Sequence, residues 1–339
     1  MKKICSILVI IMMSASLFAQ QEGIEYKSKK KTEQYNKPTK RYGHFKESNI
    51  SKTYPASGNT LQIDNQFGAV KVITWDKNEI KVDVHIEASS DKEEVAEKTF
   101  NSIQVEESKQ GNSIQFKTKL GDDKGNNYNC KNCTSTMEIS YTIQLPASTP
   151  LKIYNQFGST TVPDYNGALT LVSKFGTLIT GSLSRVEKLW VEFGKTTIKS
   201  LNNAAATFKF TEVIINNLSG SNTIKMEFCG SGKIVLGNDL ASLQLTESYS
   251  TVNLKPVSDF SAAYRIRTSF STLKNRSNAG IKRTDEPDRY GPDSEKEYEG
   301  KSGSGASKID IKSSFGTIII GEATTEEMKE KKEKAEAKI

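Results

Sequence analysis

One short phrase recurs through this sequence at nearly fixed spacing, and it limits what the chain can fold into. Leu61-Gln62-Ile63-Asp64-Asn65-Gln66-Phe67-Gly68 returns as Leu151-Lys152-Ile153-Tyr154-Asn155-Gln156-Phe157-Gly158, with the tetrad Asn-Gln-Phe-Gly unchanged. Copies then become dense, at Phe175-Gly176, Phe193-Gly194, Phe210-Thr211, Tyr249-Ser250, Phe270-Ser271 and Phe315-Gly316. From Phe157 the steps are 18, 18 and 17 residues to Phe210, then 39 to Tyr249 and 21 to Phe270. The step of 39 reads as two units with a degenerate one near Ser231-Gly232. Within a unit apolar residues alternate, as at Leu169 and Leu171, which is a period of two and not the helical period of about 3.6. Leu183, Leu201 and Leu218 recur eight residues after the ring, as the next inward side chains.

A steady period with strand chemistry at each step is the mark of a solenoid. The expected fold is all-β: a parallel β-helix-like solenoid with a small strand-rich capping insert and a short C-terminal helix. Stacked turns repeat at about 4.8 Å, so roughly nine make a rod on the order of 40 Å. Phe67, Phe157, Phe175, Phe193, Phe210, Tyr249, Phe270 and Phe315 are expected to pile into a structural ladder in the interior, where each ring contributes a few kcal/mol. Gly68, Gly158, Gly176, Gly194 and Gly316 form the corner, which a Cβ would obstruct. Threonine and serine belong outside, as soluble strand formers. A β-sandwich would also alternate, but it does not require Phe-Gly at constant spacing.

The rest of the chain divides around this repeat. Residues 1–19 read as a signal peptide, with Lys2 and Lys3 before an apolar run to Leu17 and Ala19 at the cut. That run is short for a membrane span, so no transmembrane segment is expected after cleavage. Residues 20–58 read as a disordered basic leader and 59–150 as the first turn plus a strand-rich cap. In that cap Ser90 and Glu93 form a capping box that opens a short helix. The solenoid proper covers 151–323, interrupted by a mobile loop at 276–307 rich in Gly, Ser, Pro and charge. Residues 324–339 read as a charged helical tail, with Thr324 and Glu327 as its capping box.

The net charge of +7 falls to +5 without Lys2 and Lys3, and residues 20–60 supply all of it, with nine Lys or Arg against four acids. The basic character therefore belongs to a solvated leader and not to a nucleic-acid-binding face. Three cysteines lie beyond the signal. In an oxidising compartment Cys130 and Cys133 are a possible local disulfide, with a redox pair and a half zinc site as competing readings. Cys229 reads as a buried thiol.

From Asn65-Gln66-Phe67-Gly68 through Val70, Val72 and Trp75, and again from Tyr141 to Pro146 and along the later repeats, the chain resembles a bacterial family of adhesin-like proteins built of β-strand repeats. It is similar in style to the head domain of auto-transporter adhesin-like proteins. The resemblance covers roughly residues 50–320 and implies a parallel β-helix-like fold in an exported protein, with no catalytic residues to carry over.

The residues themselves point the same way. His44 and His85 are the only histidines, too few for a Ser-His-Asp triad or a two-histidine metal site. Asp164, Asp239 and Asp259 are isolated, unlike the clustered carboxylates of a polysaccharide-cleaving β-helix. The paired Asn-Gln before each early Phe-Gly reads as a structural amide ladder. The expectation is a protein without catalytic site, metal or cofactor, exported to the periplasm or cell surface, binding a glycan or envelope protein through a flat polar face. An envelope-stress or signalling component is the alternative, and a carbohydrate-active enzyme the third reading.

Overall fold

Alternation decides the strands. In Leu151–Gln156 the side chains of Leu151, Ile153 and Asn155 are buried, while those of Lys152, Tyr154 and Gln156 face out. The computed structural model describes residues 41–121, 133–287 and 294–327, which are mostly β with one short helix, joined in a large mixed, largely parallel sheet.

The chain opens with β1 (His44–Pro55), β2 (Thr60–Gln66), β3 (Val70–Thr74), β4 (Glu79–Ser90), α1 (Glu93–Asn101), the hairpin of β5 (Ile103–Gln110) and β6 (Ser113–Leu120), and β7 (Ser135–Leu145). β6 pairs with β2 and β7 with β3, both parallel, so this block lies along the free edge of the first repeat. That pairing hides strand groups that would otherwise be open. β4 runs antiparallel to β7, and β1 antiparallel to β4 along all twelve of its residues. The expectation of a disordered leader through residue 58 is corrected here: residues 44–55 form a strand, with Ile50 and Tyr54 packed on the core. Its alternation is diluted by Lys and Ser, which hid it. Residues 20–40 lie outside the described residues. The capping box at Ser90 is also corrected. Lys92 is the N-cap without a side-chain bond, and the Ser90 hydroxyl instead donates to Thr134 O at 2.9 Å.

The repeats follow. Each has a leading strand, an aromatic corner and a trailing strand. β8 (Leu151–Gln156) and β9 (Thr160–Val162) make one; β10 (Leu169–Lys174) and β11 (Thr177–Leu183) the next. β12 (Val186–Asn202), β13 (Ala204–Glu227) and β14 (Gly232–Ser248) run through their corners or into the next repeat without interruption. Leading strand pairs with leading strand, and trailing with trailing, in parallel register: Tyr154 with Val172, Val172 with Trp190, Thr177 with Lys195. Leu151, Ile153, Leu171, Leu189, Val191 and Phe208 lie in the core between. The repeat between Phe210 and Tyr249 turns at Phe228-Cys229, not at Ser231-Gly232 as the spacing suggested; Phe228 stacks on both Phe210 and Tyr249.

The far end departs from chain order. β15 (Thr251–Pro256) completes the Tyr249 repeat, and β16 (Ala262–Ser269) with β17 (Thr272–Arg276) makes the Phe270 repeat. β18 (Lys282–Arg283) and β19 (Glu295–Ser302) come next, then β20 (Ser307–Ser314) and β21 (Thr317–Gly321). β20 lies between β14 and β16, and β21 between β15 and β17. The last repeat in sequence is therefore inserted beneath the previous one. The mobile loop expected at 276–307 is corrected too: β19 runs antiparallel along the outer edge of β16, and only 288–293 lie outside the described residues. At the tail, Thr324 N–H donates to Glu327 Oε2 at 3.0 Å and Glu327 N–H to Thr324 Oγ1 at 3.3 Å, a reciprocal pair that closes a turn. Residues 328–339 lie outside the described residues.

Candidate functional site

The aromatic ladder stands on the outside of the molecule, which corrects the expectation of an interior stack. Phe67, Phe157, Phe175, Phe193, Phe210, Phe228, Tyr249, Phe315 and Phe270 follow one another with ring centroids 4.7 to 5.1 Å apart and planes within 11° of parallel. Apart from the half-buried Phe67, these rings are 41 to 59% exposed. The cause is backbone conformation. Each aromatic residue has φ between 50° and 60°, the left-handed region, which is costly for a bulky side chain. Strand alternation would carry the parity of Leu151, Ile153 and Asn155 on to Phe157 and turn it inward. The left-handed residue reverses that direction and puts the ring in solvent.

The glycine after the ring answers a different demand. A Cβ on Gly158, Gly176 or Gly194 would fall on the carbonyl of the glycine in the neighbouring repeat, and on Gly68 it would fall on that of Ile139. Later repeats place Thr211, Cys229, Ser250 and Ser271 at this corner. Their γ atoms donate to the carbonyl two residues back, at 2.7 Å for Thr211 and 2.9 Å for Ser250. Thr160, Thr177, Thr196, Thr211 and Ser250 are buried, against the expectation that such residues face out. Cys229 is free and buried, and burial pushes its thiol up to about 11, so it stays protonated at neutral pH. Cys133 is disulfide-bonded, while Cys130 lies outside the described residues.

Two columns flank this corner. The residue two before the ring points inward. Asn65 Nδ2 donates to Asn155 Oδ1 at 3.2 Å and to Ile139 O at 2.9 Å, so the early asparagines form a buried amide ladder. Later in this column comes Glu247, 1% exposed. It accepts the Ser250 N–H at 3.2 Å and the Ser313 hydroxyl, and it fills the space that a Cβ on Gly316 would need. The residue one before the ring points outward: Gln66, Gln156, Lys174, Glu192, Lys209, Glu227, then Ser248, Ser314 and Ser269 in register. Lys174 pairs with Glu192 at 3.0 Å and Lys209 with Glu227 at 2.7 Å. Lys174 holds the Glu192 carboxyl below its usual range, Lys209 and then Lys225 do the same for Glu227, and Glu227 raises Lys209. Across the corner Lys195 pairs with Glu212 at 3.0 Å.

Beyond the charged column lies the outer face of the leading strands. Its central strip runs through Tyr154, Val172, Trp190 and Thr207, aligned residue to residue and half-buried. Trp190 Nε1 donates to Glu192 at 3.3 Å, and the Lys209 ammonium lies 5.2 Å from the indole centroid. Toward the far end the same face holds a shallow polar groove of about 280 Å³ lined by Gln244, Thr246, Arg265, Arg267, Asp310 and Lys312, among others. Arg267 is paired with Glu297 at 3.0 Å.

Glu47, His85 and Glu87 bring ligand atoms within 4.8 Å of one another on the β1–β4 face. Arg41 already bridges both carboxylates, reaching Glu87 at 3.1 Å, and His85 Nδ1 is bonded to Asn49 Oδ1 at 2.9 Å. The guanidinium occupies the place a cation would take. Asp164 pairs with Lys199 at 3.0 Å and accepts Ser182 N–H.

No family model matches the sequence, and no curated protein matches it. Comparison with solved structures finds weak likenesses. One is a "putative adhesin" from Bacteroides fragilis, at 15% identity and TM-score 0.39 over 80% of this chain and 97% of that one. Another "putative adhesin", from Parabacteroides merdae, has 11% identity and TM-score 0.27 over 84% and 99%. A "putative cell adhesion protein" from Clostridium sporogenes has 10% identity and TM-score 0.24 over 82% and 100%. At these scores the likeness assigns neither family nor function.

Proposed function

We propose that the protein is an exported, non-catalytic scaffold of the cell envelope, adhesin-like in role. Its stacked repeats wind as a parallel β-solenoid, and a glycan or envelope protein binds on the outer face of the leading strands. The near-constant repeat with its corner always at the aromatic residue supports the winding. The apolar run from Ile4 to Leu17 behind Lys2 and Lys3 supports export.

The observation that carries the binding reading is the strip Tyr154, Val172, Trp190 and Thr207. It places two aromatic side chains and an apolar one beside a column of amides, lysines and carboxylates on a surface held rigid by strand pairing. Apolar contact ringed by hydrogen-bonding groups is the composition of a recognition surface. Glycan and envelope-protein arrays probed with the full chain test it. A ligand bound by the wild type and lost in the Tyr154→Ala/Trp190→Ala variant supports the assignment. Binding that survives the double variant, or none above background for the wild type, removes it.

A further inference from the structure

The aromatic column lies beside the proposed ligand face, across the outward charged column that borders both, and it has features of its own that bear on a partner. Eight rings at 41 to 59% exposure, each worth 150–250 Å² in full, leave roughly 500–900 Å² of aromatic surface in one continuous ridge. A typical monomer's largest apolar patch is about 300–600 Å², and a stable interface takes about 800 Å² from each partner. The ridge is thus large for a surface left bare. It is also periodic. A row of rings set at the strand spacing is matched ring for ring by another stack with the same rise, from Phe67 to Phe315 when the centre lies between Phe193 and Phe210.

The charges beside the ridge choose among such stacks. The outward column reads Gln156, Lys174, Glu192, Lys209, Glu227 and Ser248 from repeat to repeat. Its alternation ties neighbouring repeats within the chain, and it is also antisymmetric about the midpoint between Phe193 and Phe210. Turned end for end, Glu192 meets Lys209, Lys174 meets Glu227, and neutral Gln156 meets neutral Ser248. The column across the corner obeys the same centre, because Lys195 of the Phe193 repeat exchanges with Glu212 of the Phe210 repeat.

We propose that this ridge is the contact between two copies of the chain, lying antiparallel about a two-fold axis that crosses the column between Phe193 and Phe210. In such an isologous pair each surface meets itself reversed. Glu192 faces the partner's Lys209, Lys174 faces the partner's Glu227, and Lys195 faces the partner's Glu212, while the rings pack between the two charged rails.

The test is the oligomeric state of the full chain, read by sedimentation, in wild type and in two charge swaps. Lys209→Glu/Glu227→Lys keeps the 209–227 ion pair, at the cost of like neighbours at Glu192 and Lys225 within the chain, which the melting transition monitors, and sets like charges against each other across the axis. Lys174→Glu/Glu192→Lys does the same from the other side. The wild type is expected to be a dimer. Each swap alone is expected to weaken association about a hundredfold with its melting transition retained. Mixing the two swaps restores a dimer, because their patterns complement each other. Phe193→Asn/Phe210→Asn, with a residue that tolerates the left-handed region, is expected to be a folded monomer. A monomeric wild type overturns the proposal, as do swaps that dimerise alone as well as the wild type does, or a mixture that stays monomeric. Occupation of the ridge by another segment of the chain or by a different protein gives the first of those results.

Discussion

The early repeats and the later ones turn the same corner with different chemistry. At Gly68, Gly158, Gly176 and Gly194 the backbones of neighbouring repeats approach so closely that no Cβ fits. At Thr211, Cys229, Ser250 and Ser271 a Cβ is accommodated, and its γ atom takes over polar work. Cys229 N–H donates to Ser250 Oγ, and Gly316 N–H donates to Ser271 Oγ, each at 3.0 Å. Gly316 returns to the glycine solution in the middle of this second set because Glu247 lies beneath it. A corner is therefore defined by what stacks on it. A strained aromatic φ is common to both sets, and the next residue adapts to its neighbour.

The comparison can be broken most directly at a glycine corner. Gly176→Ala drives a methyl into the Gly158 carbonyl, with backbone on both sides and nothing able to yield. The expected loss is about 3 kcal/mol or more in urea unfolding. A loss below about 1 kcal/mol would mean that the two sets of corners do not differ. At the inserted repeat, Gly316→Ala is expected to cost about 2 kcal/mol by crowding Glu247, and Glu247→Ala a similar amount by orphaning Ser250 N–H. Because the two residues share one space, the double variant should be less destabilised than the sum by about 1–2 kcal/mol in a double-mutant cycle. Additivity would separate Glu247 from the choice of glycine. Phe175→Asn loses two stacking contacts but relieves the left-handed strain, so its net cost should be about 1 kcal/mol. A loss of about 3–5 kcal/mol would instead be that of a buried ring. Cys229→Ser substitutes the hydroxyl that Ser250 already uses at the same corner and should change stability by less than about 1 kcal/mol.

A pH effect sharpens the far end. Glu327, bonded first to Lys274 and then to Thr324 N–H and Arg276, has its carboxyl lowered to about 2. A group depressed in the folded state stabilises it above the ordinary carboxylate range and loses that contribution as pH falls toward about 2. Protection of the Thr272–Arg276 amides, corrected for their intrinsic exchange, should fall across that window, and Glu327→Gln should remove that part of the fall.

Much of this fold is legible from the phrase Leu-x-Ile-x-Asn-Gln-Phe-Gly, because alternation marks the strands and the period places them beside one another. Which way the rings face is not, because period-two counting assumes that every residue is extended. One left-handed residue per repeat breaks the count at Phe157 and its equivalents. Phe228 lies a regular 18 residues after Phe210, and it escaped because Cys229 replaces the glycine and the following step, to Tyr249, is lengthened to 21 residues. The charged column was hidden for a related reason: Lys174, Glu192, Lys209 and Glu227 are distant in sequence and become a row only when the repeats stack. The site of insertion at the far end left no local signal. The step from Tyr249 to Phe270 has the length of an ordinary turn, and it is the pairing of β20 and β21 with the strands on either side that shows another segment comes between.

That inserted segment has a consequence for biogenesis. A chain emerging from the ribosome or a secretion channel can zip up from its first repeat as far as Tyr249, but its next step must wait. Strands β14 and β15 remain an open template until residues 307–321 arrive, some fifty residues later. The molecule is completed like an arch, by a keystone delivered last, and until then its growing edge is the place most open to the wrong strand.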